Sequence, residues 1–355
     1  MLTRAIDSYQ NIATLDDSAT QLNLAWTQDE REFIQPAISD VIQQRLQTEM
    51  GEGLPDTYRY AVDDPWGDLV LRPAVHRYFS LRHDAFSLSC GAGVIALLAA
   101  LAHLPHGQRV AIAGDVYPDY PWWLQHAGRQ AWRLDTDSPW GMAEAALAGG
   151  AELVFMERPG LLADGFGDLA ILRTLCQALA ERGVLLLIDE SNANYYPAAY
   201  SAVSLIHEMP NLMVLRGLSK AWGMGGLRVG FCLCSRELQS RVRQAIPPLL
   251  NTPLALRMAA DILSLGDSTA ALRAQISTHK PRMVALLGTQ SMAEASTGLP
   301  YVFLPESQAA MLAEKGIKGK RHGCWQGDDT LTNLMRFSVP LLPERLANFE
   351  QRLRR

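Results

Sequence analysis

The chain has 355 residues, 48% apolar and 19% charged, with a net charge of −5. This is the composition of a globular protein that can bury a core without disulfides or a structural metal. The acidic balance argues against recognition of nucleic acid through its phosphates. No apolar run is long enough to span a membrane, and the N-terminal stretch lacks the apolar core of a signal peptide. Of the five cysteines, Cys90, Cys176, Cys232, Cys234 and Cys324, only Cys232 and Cys234 lie close together. They sit inside the apolar VGFCLC, which favours a buried strand over a metal site. The default expectation is a reduced, cytoplasmic protein.

In chain order, a helical pattern covers residues 30–50, and a stretch rich in Gly, Pro and Asp follows. SLSCGAGVIALLAALA (87–102) reads as a small-residue turn entering an apolar helix. From there, short apolar runs alternate with helical patterns. RVAIAGD (109–115), ELVFME (152–157), VLLLIDE (184–190), LMVLRG (212–217) and RVGFCLC (228–234) read as strands buried on both faces. PWWLQHAGRQ, LAILRTLCQALAERG and SAVSLIHEM read as helices between them. After residue 245 come a helical region over 251–290, LPYVFLP, the helical MLAEKG and the strand-like MRFSV. The expected fold class is α/β. A large domain over residues 50–250 carries a mainly parallel sheet, and a smaller α+β domain is formed by residues 1–49 and 251–355.

Lysine occurs only at positions 220, 280, 315, 318 and 320, while arginine supplies 27 of the 32 basic residues. Lys220 stands in RGLSKAWGMGGLRVGF (216–231), between two strands. A desolvated amine at the edge of a sheet is suited to Schiff-base chemistry. Gly223, Gly225 and Gly226 allow tight backbone beside a ligand, and the planar fork of Arg228 suits a phosphate. Asp189 closes the apolar VLLLIDE, where a charge is costly unless paired. A helix cap is the other reading, since Ser191 and Asn192 follow.

This segment resembles the cofactor-lysine motif of pyridoxal-phosphate enzymes of fold type I, the aminotransferase class I/II family. It stands here as Gly217-Leu218-Ser219-Lys220 and Gly226-Leu227-Arg228-Val229-Gly230. The resemblance runs over roughly residues 20–345. It implies a large domain with a mainly parallel sheet plus a smaller α+β domain, and pyridoxal 5′-phosphate held on Lys220, which then acts as the base at the substrate α-carbon. Asp189, 31 positions earlier, is placed at the pyridine nitrogen. Gly91, Ala92 and Gly93 are placed at the phosphate through their backbone, with Ser219 and Arg228 as further cofactor ligands. Tyr117 aligns with the ring that stacks on the pyridine, or else is a core aromatic. Arg336, in TNLMRFSVPLLPERL, is placed on the substrate carboxylate, although strand alternation alone allows a solvent-facing side chain. Trp26 is an implied substrate contact. Tyr60 resembles the tyrosine that one subunit lends to its partner in a homodimer with shared active sites.

The pattern also breaks. Gly217 replaces a Ser/Thr phosphate ligand. The family's N-x-N-P-T-G reads Glu157-Arg158-Pro159-Gly160-Leu161-Leu162-Ala163-Asp164-Gly165, so the asparagine that contacts the ring oxygen O3′ is missing. Asn192 takes the place of the tyrosine that also contacts O3′ and offers an amide instead. The resemblance implies action on the α-amino group of an amino acid through an external aldimine and an α-carbanion, with transamination as the default. The altered ring pocket keeps open elimination, decarboxylation, or side-chain cyclisation as in capreomycidine- or enduracididine-forming cyclases. Glu157, Arg158, Asn194 and Tyr195 are open between side-chain pocket, interface and core. A regulatory module on the same fold lacks any basic tract in support. A cofactor-free hydrolase lacks its G-x-S-x-G elbow, because Gly217-Leu218-Ser219-Lys220-Ala221 fails at the last position.

Overall fold

A computed structural model describes residues 17–354 apart from 83, 106, 137, 163–165, 289–297 and 323–333. Cys324 and residues 163–165 therefore lie outside the described residues.

The apolar runs form the interior of a seven-stranded sheet. Its strands are β2 (Ser87–Gly91), β3 (Arg109–Ala113), β4 (Gln130–Leu134), β5 (Leu153–Glu157), β6 (Leu185–Asp189), β7 (Leu212–Gly217) and β8 (Gly230–Cys234), after a short β1 (Leu22–Asn23). The order is β2-β8-β7-β6-β5-β3-β4. Neighbours from β7 through β4 are parallel, whereas β8 runs antiparallel to both β7 and β2. Strand alternation splits the core in two. Val154, Met156, Leu186, Ile188 and Val214 point into one cluster, while Leu153, Phe155, Leu185, Leu187, Met213 and Leu215 point into the other. That division requires apolar residues at every strand position, and it explains why these runs do not alternate with polar residues.

Helices cover both faces. They are α1 (Ile38–Gly51), α2 (Asp68–Tyr78), α3 (Val94–Leu101), α4 (Asp119–His126), α5 (Pro139–Ala148), α6 (Leu169–Ala180) and α7 (Gln239–Ala245). In α6, Leu172, Leu175, Cys176 and Leu179 form the buried stripe, and the Asp168 carboxylate caps the first turn by accepting from the Ala170 N–H at 2.7 Å. Then come α8 (Pro253–Ser264), α9 (Ala270–Leu287), β9 (Tyr301–Pro305), α10 (Glu306–Glu314), β10 (Ile317–Lys318), β11 (Lys320–Arg321), β12 (Leu334–Ser338) and α11 (Pro343–Leu353). Strands β11-β12-β9 form an antiparallel sheet. The N-terminal β1 pairs in parallel with β10. The same segment is pinned further along. Asp29 accepts from the N–H groups of Leu341 and Leu342 and from the guanidinium of Arg345, the last at 2.6 Å.

Several elements differ from expectation. SLSCG is a strand rather than a turn, and QAWRL is strand β4 at the sheet edge, taking the last residue of the helix expected over PWWLQHAGRQ. Residues 201–209 hold 3-10 turns, with the Ser201 hydroxyl accepting from Val203 N–H, instead of a helix. The helix expected from residue 30 starts at Ile38, after a single 3-10 turn and Pro36. Helices α2 and α5 occupy stretches read without one. Arg228 is left-handed (φ 55°), so its strand starts at Gly230. Cys90, Cys176, Cys232 and Cys234 are buried and unbridged. No described helix is long and apolar enough to cross a membrane.

Candidate active site

Parallel strands end together, so β5, β6 and β7 deliver Glu157, Asp189 and Gly217 to one sheet edge, with Lys220 three residues beyond. Asp189 is buried and accepts the Ser191 N–H at 2.8 Å. Burial pushes its carboxyl up to about 6, while the Ser191 hydrogen bonds and then the charge of Lys220 oppose the rise. Lys220 is half-buried, and its side-chain amine has no hydrogen-bond or ion-pair partner among the described residues. Its charge acts on Asp189, Glu157 and Lys320.

A second cluster forms where α3 begins. Gly93 has φ +83°, and a Cβ there would lie 2.5 Å from the Arg228 guanidinium. A Cβ on Gly230 would meet the Val94 nitrogen at 2.6 Å. Glycine at both positions lets the β8 turn close onto the start of α3. Arg228 spans the gap, donating to the carbonyls of Gly225 and Ala92 at 2.9 Å. The result is an exposed arginine beside the free N–H groups of a helix start, a site suited to a phosphate.

The β11–β12 sheet contributes another wall. Arg336 is paired in register with Lys320. The Arg336 guanidinium lies 4.5 Å above the Tyr301 ring, its Nη2 reaches the Ala25 carbonyl at 3.3 Å, and its buried Nε has no hydrogen-bond partner. The Lys320 ammonium is 5.0 Å from the Trp26 ring centre. Burial, then Arg336 and Lys220, pull its pKa down to about 7.

Gly91, Ala92, Gly93 and Arg228 therefore gather in one cluster, with Ser219 and Lys220 in the turn that follows β7. Asp189 and Lys220 are electrostatic neighbours, as are Arg336, Lys320 and Lys220. Tyr117 follows β3. Its hydroxyl donates to Asp119 at 3.1 Å, and its N–H donates to the Glu157 carboxylate. Asn192 is buried, and its Oδ1 has no hydrogen-bond partner. Tyr60 is 81% exposed on the surface of the single chain. Three open residues prove to be core. Arg158 and Arg216 both pair with the fully buried Glu190, at 2.9 and 3.1 Å. Asn194 bonds Arg216 and the Gly217 carbonyl. The Tyr195 hydroxyl donates to Glu30 at 2.8 Å.

Sequence reasoning missed Lys320 and the buried contact of His322 Nε2 with Asp115 at 2.6 Å. The scarcity of lysine was a signal for the first. In sequence Glu157 is only an open candidate, although it ends an apolar strand just as Asp189 does.

The model of the family described as aminotransferase class I and II matches residues 64–345. The chain is 28% identical over 279 residues to histidinol-phosphate aminotransferase 1 of Cupriavidus pinatubonensis, covering 74% of this chain and 71% of that one. Its fold is similar to the crystal structure of histidinol-phosphate aminotransferase from Sinorhizobium meliloti in complex with pyridoxal-5′-phosphate, with TM-score 0.73 and 17% identity over 100% of this chain and 98% of that chain. It is also similar to L-threonine-O-3-phosphate decarboxylase from Porphyromonas gingivalis, with TM-score 0.71 and 17% identity over 94% and 98%. These likenesses identify the architecture as fold type I.

Proposed function

Because the chain belongs to the aminotransferase class I and II family, a family of pyridoxal-phosphate enzymes, we propose that it transfers the α-amino group of an amino acid to a keto acid. The observation that carries this reading is the half-buried Lys220 amine, without a bonded partner among the described residues, at the same sheet edge as buried Asp189. The side chains fit the cofactor. Gly93 and Arg228 form a cradle that a Cβ would fill.

When bound, pyridoxal phosphate supplies an electron-withdrawing ring conjugated to the substrate α-carbon. Arg228 and the N–H groups at the start of α3 hold its phosphate. Asp189 would hold a proton at the ring nitrogen, and Tyr117 would stack on the ring. Asn192 would offer its amide to the ring oxygen. Arg336 would hold the substrate carboxylate with its free donors, with Trp26 as a further substrate contact. Lys220 would take the α-proton as general base and return it two atoms away, across the amino nitrogen. Tyr60 reaches the phosphate of a second subunit in a homodimer.

A second reading, loss or cyclisation of a side-chain group or decarboxylation, is supported by the sequence pattern, in which Leu161 or a neighbour stands in the slot of the missing asparagine and Asn192 in that of the tyrosine, since an altered partner for the ring oxygen changes which bond is weakened. The test is the visible spectrum of the protein with pyridoxal phosphate, titrated with an amino-acid panel that includes arginine, hydroxyarginine and the aromatic amino acids, without any keto acid. Stoichiometric conversion to the amine form with one keto acid released per site supports transamination. Turnover with return to the starting spectrum supports the second reading. Full turnover by Lys220→Ala refutes both.

A further inference from the structure

The sheet edge holds one acidic group more than the proposed chemistry uses. Glu157 and Asp189 are direct cross-strand partners in the parallel β5–β6 pair, so their side chains leave the sheet on the same face, about 4.8 Å apart at the backbone. Glu157 is only 9% exposed and Asp189 only 4%. The Glu157 Oε1 accepts the Tyr117 N–H, and its Oε2 has no hydrogen-bond partner among the described residues. Asp115, on the loop after β3, is a third carboxyl in electrostatic reach of Glu157, but it is already engaged by His322. The cation facing this group is Lys220, from the turn after β7. Glu190 faces Asp189, but it is neutralised by Arg158 and Arg216 on the opposite face of the sheet.

Two buried carboxylates side by side share a proton rather than ionise together. Asp189 has the Ser191 N–H to stabilise its anion, and it acts on the ring nitrogen. Glu157 keeps an Oε2 without a hydrogen-bond partner among the described residues. We propose that Glu157 is held as a neutral carboxylic acid beside ionised Asp189, so that the pair carries one negative charge matched to the single positive charge of a protonated pyridine ring. Burial and the neighbouring Asp189 and Asp115 push the Glu157 carboxyl well above the usual range, in the same direction. Glu157 is thus a positioning residue that acts through Asp189. The inference rests on the cofactor reading above.

The test uses Glu157→Gln, which keeps an oxygen for the Tyr117 N–H and imitates the neutral acid. Infrared difference spectra of the cofactor-free protein at neutral pH should show a protonated-carboxyl band that the variant lacks. Pyridoxal-phosphate affinity, followed by absorbance, should agree between the two proteins within about threefold at neutral pH. The two should diverge only on the alkaline side, where the wild-type infrared band is lost. Absence of the band, or divergence of more than about tenfold at neutral pH, would overturn the proposal. A band present with no cofactor uptake by either protein would refute the cofactor reading and leave the carboxyl pair standing.

Discussion

Replacing Glu190 by glutamine removes the one anion from a buried cluster with two cations. Glu190 is 0% exposed, with Arg158 at 2.9 Å and Arg216 at 3.1 Å, both guanidiniums at most 2% exposed. Its carboxylate also accepts from the Ser201 hydroxyl and the Ala202 N–H. Breaking a buried ion pair from one side costs about 3–5 kcal/mol, because the partner charge stays behind. Glutamine still accepts from Ala202, which places the loss near the lower figure, about 3 kcal/mol. The stacking of Arg158 over Tyr200 at 3.7 Å and of Arg216 toward Phe79 at 5.1 Å does not replace the anion. Urea denaturation of the cofactor-free protein measures this directly, as a lower midpoint at unchanged slope. A loss below about 1 kcal/mol would mean that the two arginines are not held by Glu190, and the burial argument would fail. The cluster adjoins Glu157, Asp189 and Gly217 in sequence, so cofactor affinity should fall in the same variant.

Asp189→Asn should show a trade between stability and binding. The native carboxyl sits at about 6, above its unfolded value, so its destabilising effect appears as pH rises from about 4 to 6 and is complete above that. The variant should be more stable than wild type by up to about 3 kcal/mol at pH 8, equal to it at pH 3, and poor at retaining cofactor. Equal melting of the two proteins at pH 8 would refute this. Arg336→Gln should raise KM for amino acids at least tenfold while leaving the spectrum of the loaded protein unchanged, since the substitution removes the unpartnered buried Nε and the charge proposed to hold the substrate carboxylate, while the cofactor end is untouched. Gly93→Ala places a methyl 2.5 Å from Arg228 at φ +83°, and should weaken binding of inorganic phosphate and of cofactor together.

The strands that carry the site were legible because both of their faces are buried. β5, β6 and β7 had to be continuous apolar runs, and the residues ending β6 and following β7 stood out against them. The small and polar SLSCG was not legible as β2, since its burial comes from pairing with β8 rather than from its own side chains. QAWRL was not legible as β4 because, at the sheet edge, Gln130 is exposed and Ala131, Trp132 and Arg133 are only half-buried, so it lacks the continuous apolar run of the inner strands. Ser201 caps only a single 3-10 turn, Ala202–Leu205, and the chain does not continue into a helix over 206–209. The site was legible where a residue type is rare in its setting: a lysine in an arginine-rich chain, a carboxylate closing a leucine strand. Lys320 and His322 lie on one short segment, but Trp26 and Asp115, which they meet, lie some 290 and 207 positions earlier, so these contacts are decided by packing alone.

The strap formed by residues 22–29 bears on how the molecule is made. Ala25 meets Arg336 across 311 positions, and Asp29 meets Arg345 across 316. Residues 22–29 are made long before their partners at 336–345 and cannot dock until those have been added. The β2–β8 sheet with Lys220 and Arg228 is complete some hundred residues before that point, so a nascent chain can form the proposed phosphate cradle before the proposed carboxylate pocket exists. Capacity for cofactor and capacity for substrate should arise at different chain lengths.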